Sequence, residues 1–598
     1  MVVQKLSDVV ADFLAAKSVR HVFAISGGAS LHLIHSISSH PDISHICNHH
    51  EQSSAMSADA YSRVTANIGV AIATSGPGAT NLITGLCCSY YDSVPVVAIT
   101  GQVNTSRMVG DTGVRQIGFQ ETPIVEICNS ITKYAVQIND PNDILYELEK
   151  SFFIATTGRP GPVLIDIPDD LQRIMVDLSL CRRFDPEPSP KSDRYPNLSE
   201  SLDYILSELL VSERPIIVAG WGVHLSHFKN QLLEFAESFS IPIALTWGAA
   251  DLIPASHPLF VGTFGTHGNR HSNFAVQNSD LVISFGSRLD TKSTGSPVNT
   301  FAREAKKIVV DVDEFELSKF VHFGLAIDRL ILQDLRFADL HDLIQNSHSI
   351  SFPSKASWLE QISVWKNLFT SIDSASRKSS CPEKVDPYHF FGLLSRSIQS
   401  PTNLIFDTGC SLAWGMQSFE PNKFTRIYHD FNNTAMGWSI PASIASSLAS
   451  KDKDTICVVG DGSFMMSLHE LAVIKRYQLP IKIFMFNNSG YAMIQQTQDQ
   501  WLDSEYIASS YDGGLDFPDY RSLAQSFSLE YFEADSNDVL QSCVNSVLGD
   551  SRPVLCNVIV SDKMRVIPQV KAGFPNEDLE PLLPRDIFTD QMIVKPSF

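Results

Sequence analysis

Short apolar, β-branched runs recur along the chain, each closed by glycine, proline or small polar residues and separated by helix-length segments. In the first third they occupy residues 22–25, 70–74, 96–100 and 163–167. Others lie at 215–219, 241–245, 281–285 and 308–312, then at 403–406, 455–459 and 481–486. Runs of this length without polar alternation read as strands buried on both faces, with crossover helices between them. The pattern is α/β: three doubly wound, Rossmann-like domains with mostly parallel sheets. The spacing divides the chain into 1–180, 195–345 and 380–563, with a proline- and acid-rich tail at 564–598 that reads as an extended wrap. Proline-bearing polar linkers are expected at 184–192 and 349–355, and a helical segment from there to about residue 380. A chain of 598 residues is too long for one core.

Composition narrows the function. A net charge of −21 argues against nucleic acid or an anionic membrane as partner, and no apolar run reaches membrane-span length. Ten cysteines without a CxxC pair read as reduced core thiols of a cytoplasmic protein.

Candidate chemistry concentrates at strand ends. Gly460-Asp461-Gly462-Ser463 closes one strand and Asn487-Asn488 the next, with Asp461 and Asn488 27 positions apart. A carboxylate and an amide oxygen on one sheet edge suit a hard cation such as Mg2+, and the glycines let backbone approach phosphate closely. Glycine-rich turns also follow strands at Ser26-Gly27-Gly28-Ala29 and Ser75-Gly76-Pro77-Gly78-Ala79-Thr80-Asn81, and Glu51 opens a small-residue helix.

These motifs, with Val94 to Gln102, Gly118-Phe119-Gln120-Glu121 and Gly158-Arg159-Pro160-Gly161-Pro162 in family order, resemble the thiamine-diphosphate (ThDP) enzymes of the acetolactate synthase type. The resemblance implies that Asp461, Asn488 and the Gly490 carbonyl ligate Mg2+. It places Gly409, Cys410, Ser411, Gly460, Gly462, Ser463 and Tyr491 around the diphosphate, and Ser75, Gly76 and Asn81 on the pyrimidine side. Thr434 and Met436 would hold the bent cofactor. Glu51 would be the catalytic acid, hydrogen-bonded to the aminopyrimidine N1′ so that the neighbouring imine can take a proton. Gln120 and Gly28 complete the catalytic set, and Phe119 and Met493 the substrate pocket. The family's cofactor lies between two subunits, so a homodimer or homotetramer is implied.

Glycines and polar residues at the middle block's strand ends look like the family's FAD site: Arg159, Gly220, Gly222, Thr246, His267, Gly268, Arg288, Asp311 and Asp313. FAD would there be a non-redox bystander, although relatives such as pyruvate decarboxylase keep the domain without flavin. The implied reaction decarboxylates a 2-oxo acid, pyruvate, and passes the two-carbon unit to a carbonyl acceptor. Three departures bear on that acceptor: Asp169 where the biosynthetic enzymes carry Lys, Cys410-Ser411-Leu412 for their Gln-His-Gln, and Tyr491 to Gln496 after Gly490. They favour a nucleotide-linked keto-sugar, as in the flavin-containing carboligases that build branched sugars such as yersiniose. The alternatives are acetolactate synthase proper, a simple decarboxylase and a non-catalytic homologue.

Overall fold

The structure is a computed structural model describing residues 3–186, 198–338, 340–341, 344, 352–378 and 383–597. Both expected linkers fall partly outside those residues. Three six-stranded parallel sheets form the framework. The first runs Ser44–Cys47, His21–Ala24, Gly69–Ala73, Val96–Gln102, Val163–Pro168, Tyr134–Gln137. The third runs Thr425–Tyr428, Thr402–Phe406, Asp454–Gly460, Lys482–Asn487, Val554–Ile559, Glu530–Ala534. In chain order both read 2-1-3-4-6-5, so the outer units share one topology. The middle sheet runs Phe260–Thr263, Ile243–Leu245, Pro215–Ala219, Leu281–Phe285, Lys306–Asp311, Arg329–Leu332. Its order, 3-2-1-4-5-6, is that of dinucleotide-binding sheets. Among the described residues no helix is long and apolar enough to cross a membrane, and the described cysteines are all free.

The outer units join through two helices rich in small residues, Glu51–Thr65 and Ser439–Ala449. Ser54, Ala55, Ala58, Ala442, Ser443 and Ala445 are buried there and let the backbones approach, so that Ser57 Oγ donates to Pro441 O at 3.0 Å. A buried charge cluster locks the junction. Arg63 Nε donates to Asp59 at 2.7 Å, and its two terminal nitrogens to Asp92 at 2.9 Å and to His429 O at 3.0 Å, with Trp438 beneath the guanidinium. Removing one side of such a pair strands the other in a dry interior. Arg63→Met should therefore destabilise the protein by about 3–5 kcal/mol in chemical denaturation; a loss under about 1 kcal/mol would show that Arg63 is dispensable.

Three details add to the pattern. Residues at the N-terminus begin with a strand, Val3–Lys5, paired antiparallel with Met175–Asp177, before the helix Leu6–Ala16. A helix, Asp461–Ser467, follows the GDG motif directly, because Asp461 itself opens the first turn behind Gly460, and helical turns continue through Leu468–Glu470 and Leu471–Tyr477. In this chain the tail straps the middle unit. Arg270 donates to Leu579 O and Pro581 O, each at 3.0 Å, and Asn273 to Asn576 O at 2.8 Å. Those side chains stand on the helix Arg270–Gln277, whose buried polar residues find partners in the tail as well as in the middle unit itself, as Asn273 does at Gly265 O (2.9 Å).

Candidate active site and cofactor cleft

In both outer units the candidate residues stand at the topological switch point, where chains leave the first and third strands in opposite directions and open a crevice. In the first unit these exits are Gly27-Gly28 and Ser75-Gly76. A Cβ at Gly28 would meet open space, whereas one at Gly76, which has φ +62°, would lie 2.9 Å from the Gln120 Cβ. Gln120 itself sits at φ +65°, an uncommon conformation for a side-chain-bearing residue that surroundings must enforce. Glu51 opens its helix, and its Oε2 accepts from Asn81 Nδ2 at 2.9 Å. Gly78 leaves room beside Glu51, since a Cβ there would stand 3.3 Å from Oε1. Ser75 is buried at the same edge, while Phe119 is 86 % exposed.

In the third unit the exits are Asp407 to Ser411 and Asp461 to Ser463. Gly409 takes φ +94° and starts the helix Cys410–Ser418, where Cys410 is buried, its thiol pushed up to about 12 by burial. Ser411 Oγ is buried without a partner. The Asp461 carboxylate accepts from Gly462 N at 2.7 Å, Asn488 N at 3.1 Å and Gly490 N at 3.3 Å, stapling the two loops together. Burial pushes Asp461 up to about 7 against the pull of these donors. The ring of Tyr491 lies where a Cβ of Gly462 would be, at 2.2 Å, so only glycine fits there. Ser463 is buried, and Asn488 Nδ2 is buried without a partner. Met493 packs against the unit's apolar core. Thr434 holds φ +52°, costly for a β-branched residue, and half-buried Met436 follows it.

Several aspartates shape this site through backbone contacts that no motif announced. Asp407 accepts from Gly437 N at 3.1 Å and Ser439 N at 2.8 Å, tying the Met436 loop to the Gly409 loop. Asp430 accepts from Ala435 N at 2.8 Å, and Asp92 of the first unit from Phe431 N at 3.0 Å. Buried aspartates directly after apolar strands or helices were the only signal.

The donor set fits a diphosphate and its cation. A buried carboxylate with no cationic partner, an unpartnered amide that can present either end, an orphan hydroxyl and the free N–H groups of the helix at Gly409 are what such a pair would complete.

A second, open-mouthed cleft lies at the middle sheet's switch point and is shared by all three units. Arg159, Gly222, Thr246, His267, Arg288 and Asp311 are among the residues that line it. Gly220 and Gly268 serve packing: a Cβ would lie 2.3 Å from Gly286 O at the first, and 2.5 Å from Phe264 backbone at the second. Trp221 Nε1 and His267 Nε2 are buried without partners, and burial lowers His267 to about 4. Both fit a polar ligand. Arg159 already pairs with Asp313 at 3.0 Å and Glu316 at 2.6 Å, and Arg288 with Glu316 at 3.1 Å. Burial alone would raise Glu316, but Lys319, Arg159 and Arg288 hold it at about 2, below its ordinary 4.5. A depressed carboxylate adds stability above its unfolded value that is lost as pH falls through the folded one. Glu316→Gln should therefore flatten the acid-unfolding curve between pH 4.5 and about 2, followed by circular dichroism. An unchanged acid limb would mean that the cluster is not ionised as drawn.

Comparison with known proteins follows the same three units. The N-terminal TPP binding domain of thiamine pyrophosphate enzymes matches residues 4–126, their central domain 202–333, and their C-terminal TPP binding domain 407–558. This is the domain set of a ThDP enzyme. Acetolactate synthase 1 (chloroplastic) of Zea mays is 31% identical over 589 residues, covering 96% of this chain and 88% of that protein. The acetolactate synthase large subunits of Lactococcus lactis subsp. lactis and Cyanidium caldarium are each 31% identical over 579 residues, covering 96% and 95% of this chain and 95% of each relative. The chain belongs to the thiamine-diphosphate-dependent enzymes, in their acetolactate synthase-like, C–C bond-forming branch.

Proposed function

We propose that the protein is a carboligase that decarboxylates pyruvate and passes the two-carbon unit to the carbonyl of a nucleotide-linked keto-sugar. Bound ThDP would supply a nucleophilic carbon that adds to the 2-oxo acid and stores the electron pair left when CO2 departs. The chain's own residues would do the rest. Glu51, held by Asn81, keeps a proton at the pyrimidine N1′. Asp461, Asn488 and the Gly490 carbonyl hold Mg2+, and Ser411, Gly409 and the Gly460–Ser463 turn hold the diphosphate. Met436 and Thr434 set the cofactor's bend, and Gln120 donates to the oxygen on which charge develops.

The observation that carries the acceptor is at the end of the strand Val163–Pro168, beside the strand that leads to Gln120. There Asp169 Oδ1 and Gln172 Oε1 are buried acceptor oxygens without partners. Such oxygens suit hydroxyl donors of a sugar, and they disfavour the carboxylate of a second 2-oxo acid. Acetolactate synthase proper is the second reading, favoured by the names of the relatives. Mass spectrometry of products, from pyruvate with and without a CDP-4-keto-hexose, separates the two. A branched sugar product is expected; acetolactate at high turnover from pyruvate alone would defeat the sugar reading.

We further assign FAD to the middle cleft, on its sheet order and the orphan Trp221 and His267 nitrogens. A flavin absorbance band that travels with purified protein is expected; loss of it on desalting, with no recovery on adding FAD, would contradict the assignment. A homodimer, or a tetramer built from it, agrees with the exposure of Phe119 (86 %), Trp501 (69 %) and Tyr511 (71 %) in chain segments next to the two half-sites. Free cysteines fit a reducing cytoplasm.

A further inference from the structure

The segment between the strand Val96–Gln102 and the helix Ile124–Cys128 takes its shape from one carboxylate. Glu121 Oε1 accepts from Val109 N at 2.5 Å, and Oε2 from Ile117 N and Gly118 N, both at 3.1 Å. Gln116 Nε2 closes onto Glu121 O at 2.9 Å. Asp170 pins the other end, accepting from Thr105 N at 3.0 Å and Thr105 Oγ1 at 2.6 Å. The two limbs run side by side, since a Cβ at Gly118 would lie 3.0 Å from Arg107 O. Backbone and hydroxyl donors thus take up both carboxylates at the base of the loop. Arg107 and Arg115 stand exposed on it, with no ion pair for either guanidinium among the described residues; exposed Asp111 and the clasping Glu121 are the loop's acids. Both arginines belong to the loop that carries Phe119 and Gln120: Arg115 precedes them by four and five residues, and Arg107 backbone lies against Gly118.

We propose that this clasped loop is an anion-binding lip for the acceptor, in which Arg107 and Arg115 hold the diphosphate of a nucleotide-linked carbonyl substrate. The inference rests on the carboligase reading above. In such a substrate the sugar ring separates the reacting carbonyl from the phosphates. The carbonyl can then reach the Glu51 side while the phosphates stay at the rim; a free 2-oxo acid is too short to span both. Guanidinium forks match phosphate oxygens in pairs, which gives direction as well as charge. Glu121 is a positioning residue in this arrangement: it fixes the loop and, as the next residue in the chain, the strained Gln120.

The test compares wild type, R107A/R115A, E121Q and the control R396A, whose arginine is exposed on the helix Pro387–Ser397 of the third unit. All are loaded with ThDP, Mg2+ and FAD and assayed with saturating pyruvate and a varied CDP-4-keto-hexose. In R107A/R115A the acceptor KM should rise at least about tenfold, with kcat within about threefold, and should lose most of its salt dependence. E121Q should raise KM and lower kcat together, and R396A should match wild type. An acceptor KM for R107A/R115A within about twofold of wild type overturns the lip. If wild type converts no nucleotide-linked acceptor, the carboligase reading fails by itself, and calorimetry with CDP decides the lip separately. Binding to wild type that R107A/R115A loses supports it; equal heats, or none with either protein, overturn it.

Discussion

Replacing Glu51 with Gln should lower turnover at saturating ThDP and Mg2+ by at least about 100-fold while leaving the thermal midpoint nearly unchanged. The two side chains match in volume, and the amide can keep a contact with Asn81, now 2.9 Å from Glu51 Oε2. What is lost is a group able to hold a proton at the pyrimidine. ThDP affinity should change little, because the diphosphate and its cation are gripped by the other half-site. Turnover within about tenfold of wild type would remove Glu51 from the catalytic role.

Asp461→Ala should weaken Mg2+-dependent ThDP binding by at least about 100-fold, read by calorimetry on protein stripped of cofactor. Asp461 also staples the Gly462, Asn488 and Gly490 amides, so Asp461→Asn separates the two roles. The amide can still cap part of that backbone but brings no charge to the cation. Both variants should bind poorly. If Asp461→Asn binds as wild type does, the cation is held elsewhere.

The buried strands were legible because parallel strands covered on both faces write continuous apolar runs, as at 96–100 and 455–459. Strands at or near a sheet edge, such as Tyr134–Gln137, Glu530–Ala534 and Arg329–Leu332, are only partly covered and carry polar residues, so they left no such run. The motif glycines and Asp461 were legible for a local reason: a tight strand-to-helix exit admits few residue types. Gly220 and Gly268 show the limit of that reasoning, since a glycine that lets two backbones touch looks the same in sequence as one that lets a ligand approach. The backbone-holding roles of Asp407, Asp430, Asp92 and Glu121 were illegible because each works on backbone groups 5 to 339 residues away or within its own loop. The tail's course was equally hidden: its partners are polar groups of a helix some 300 residues earlier.

The central claim is that Glu51 of one chain and Asp461 of another act on the same cofactor. Within one chain, the contacts between the outer units run through Arg63, Ser57 and Glu470, which accepts from Asn48 Nδ2 and His49 N, both at 2.9 Å. Co-expression of differently tagged Glu51→Gln and Asp461→Ala chains, with tandem purification of the mixed oligomer, tests the claim directly. Each mixed dimer would carry one intact site and one doubly broken site, so activity should return to about half that of wild type although each parent is inactive. A mixed oligomer as inactive as its parents would place both residues in one chain's site and contradict the account.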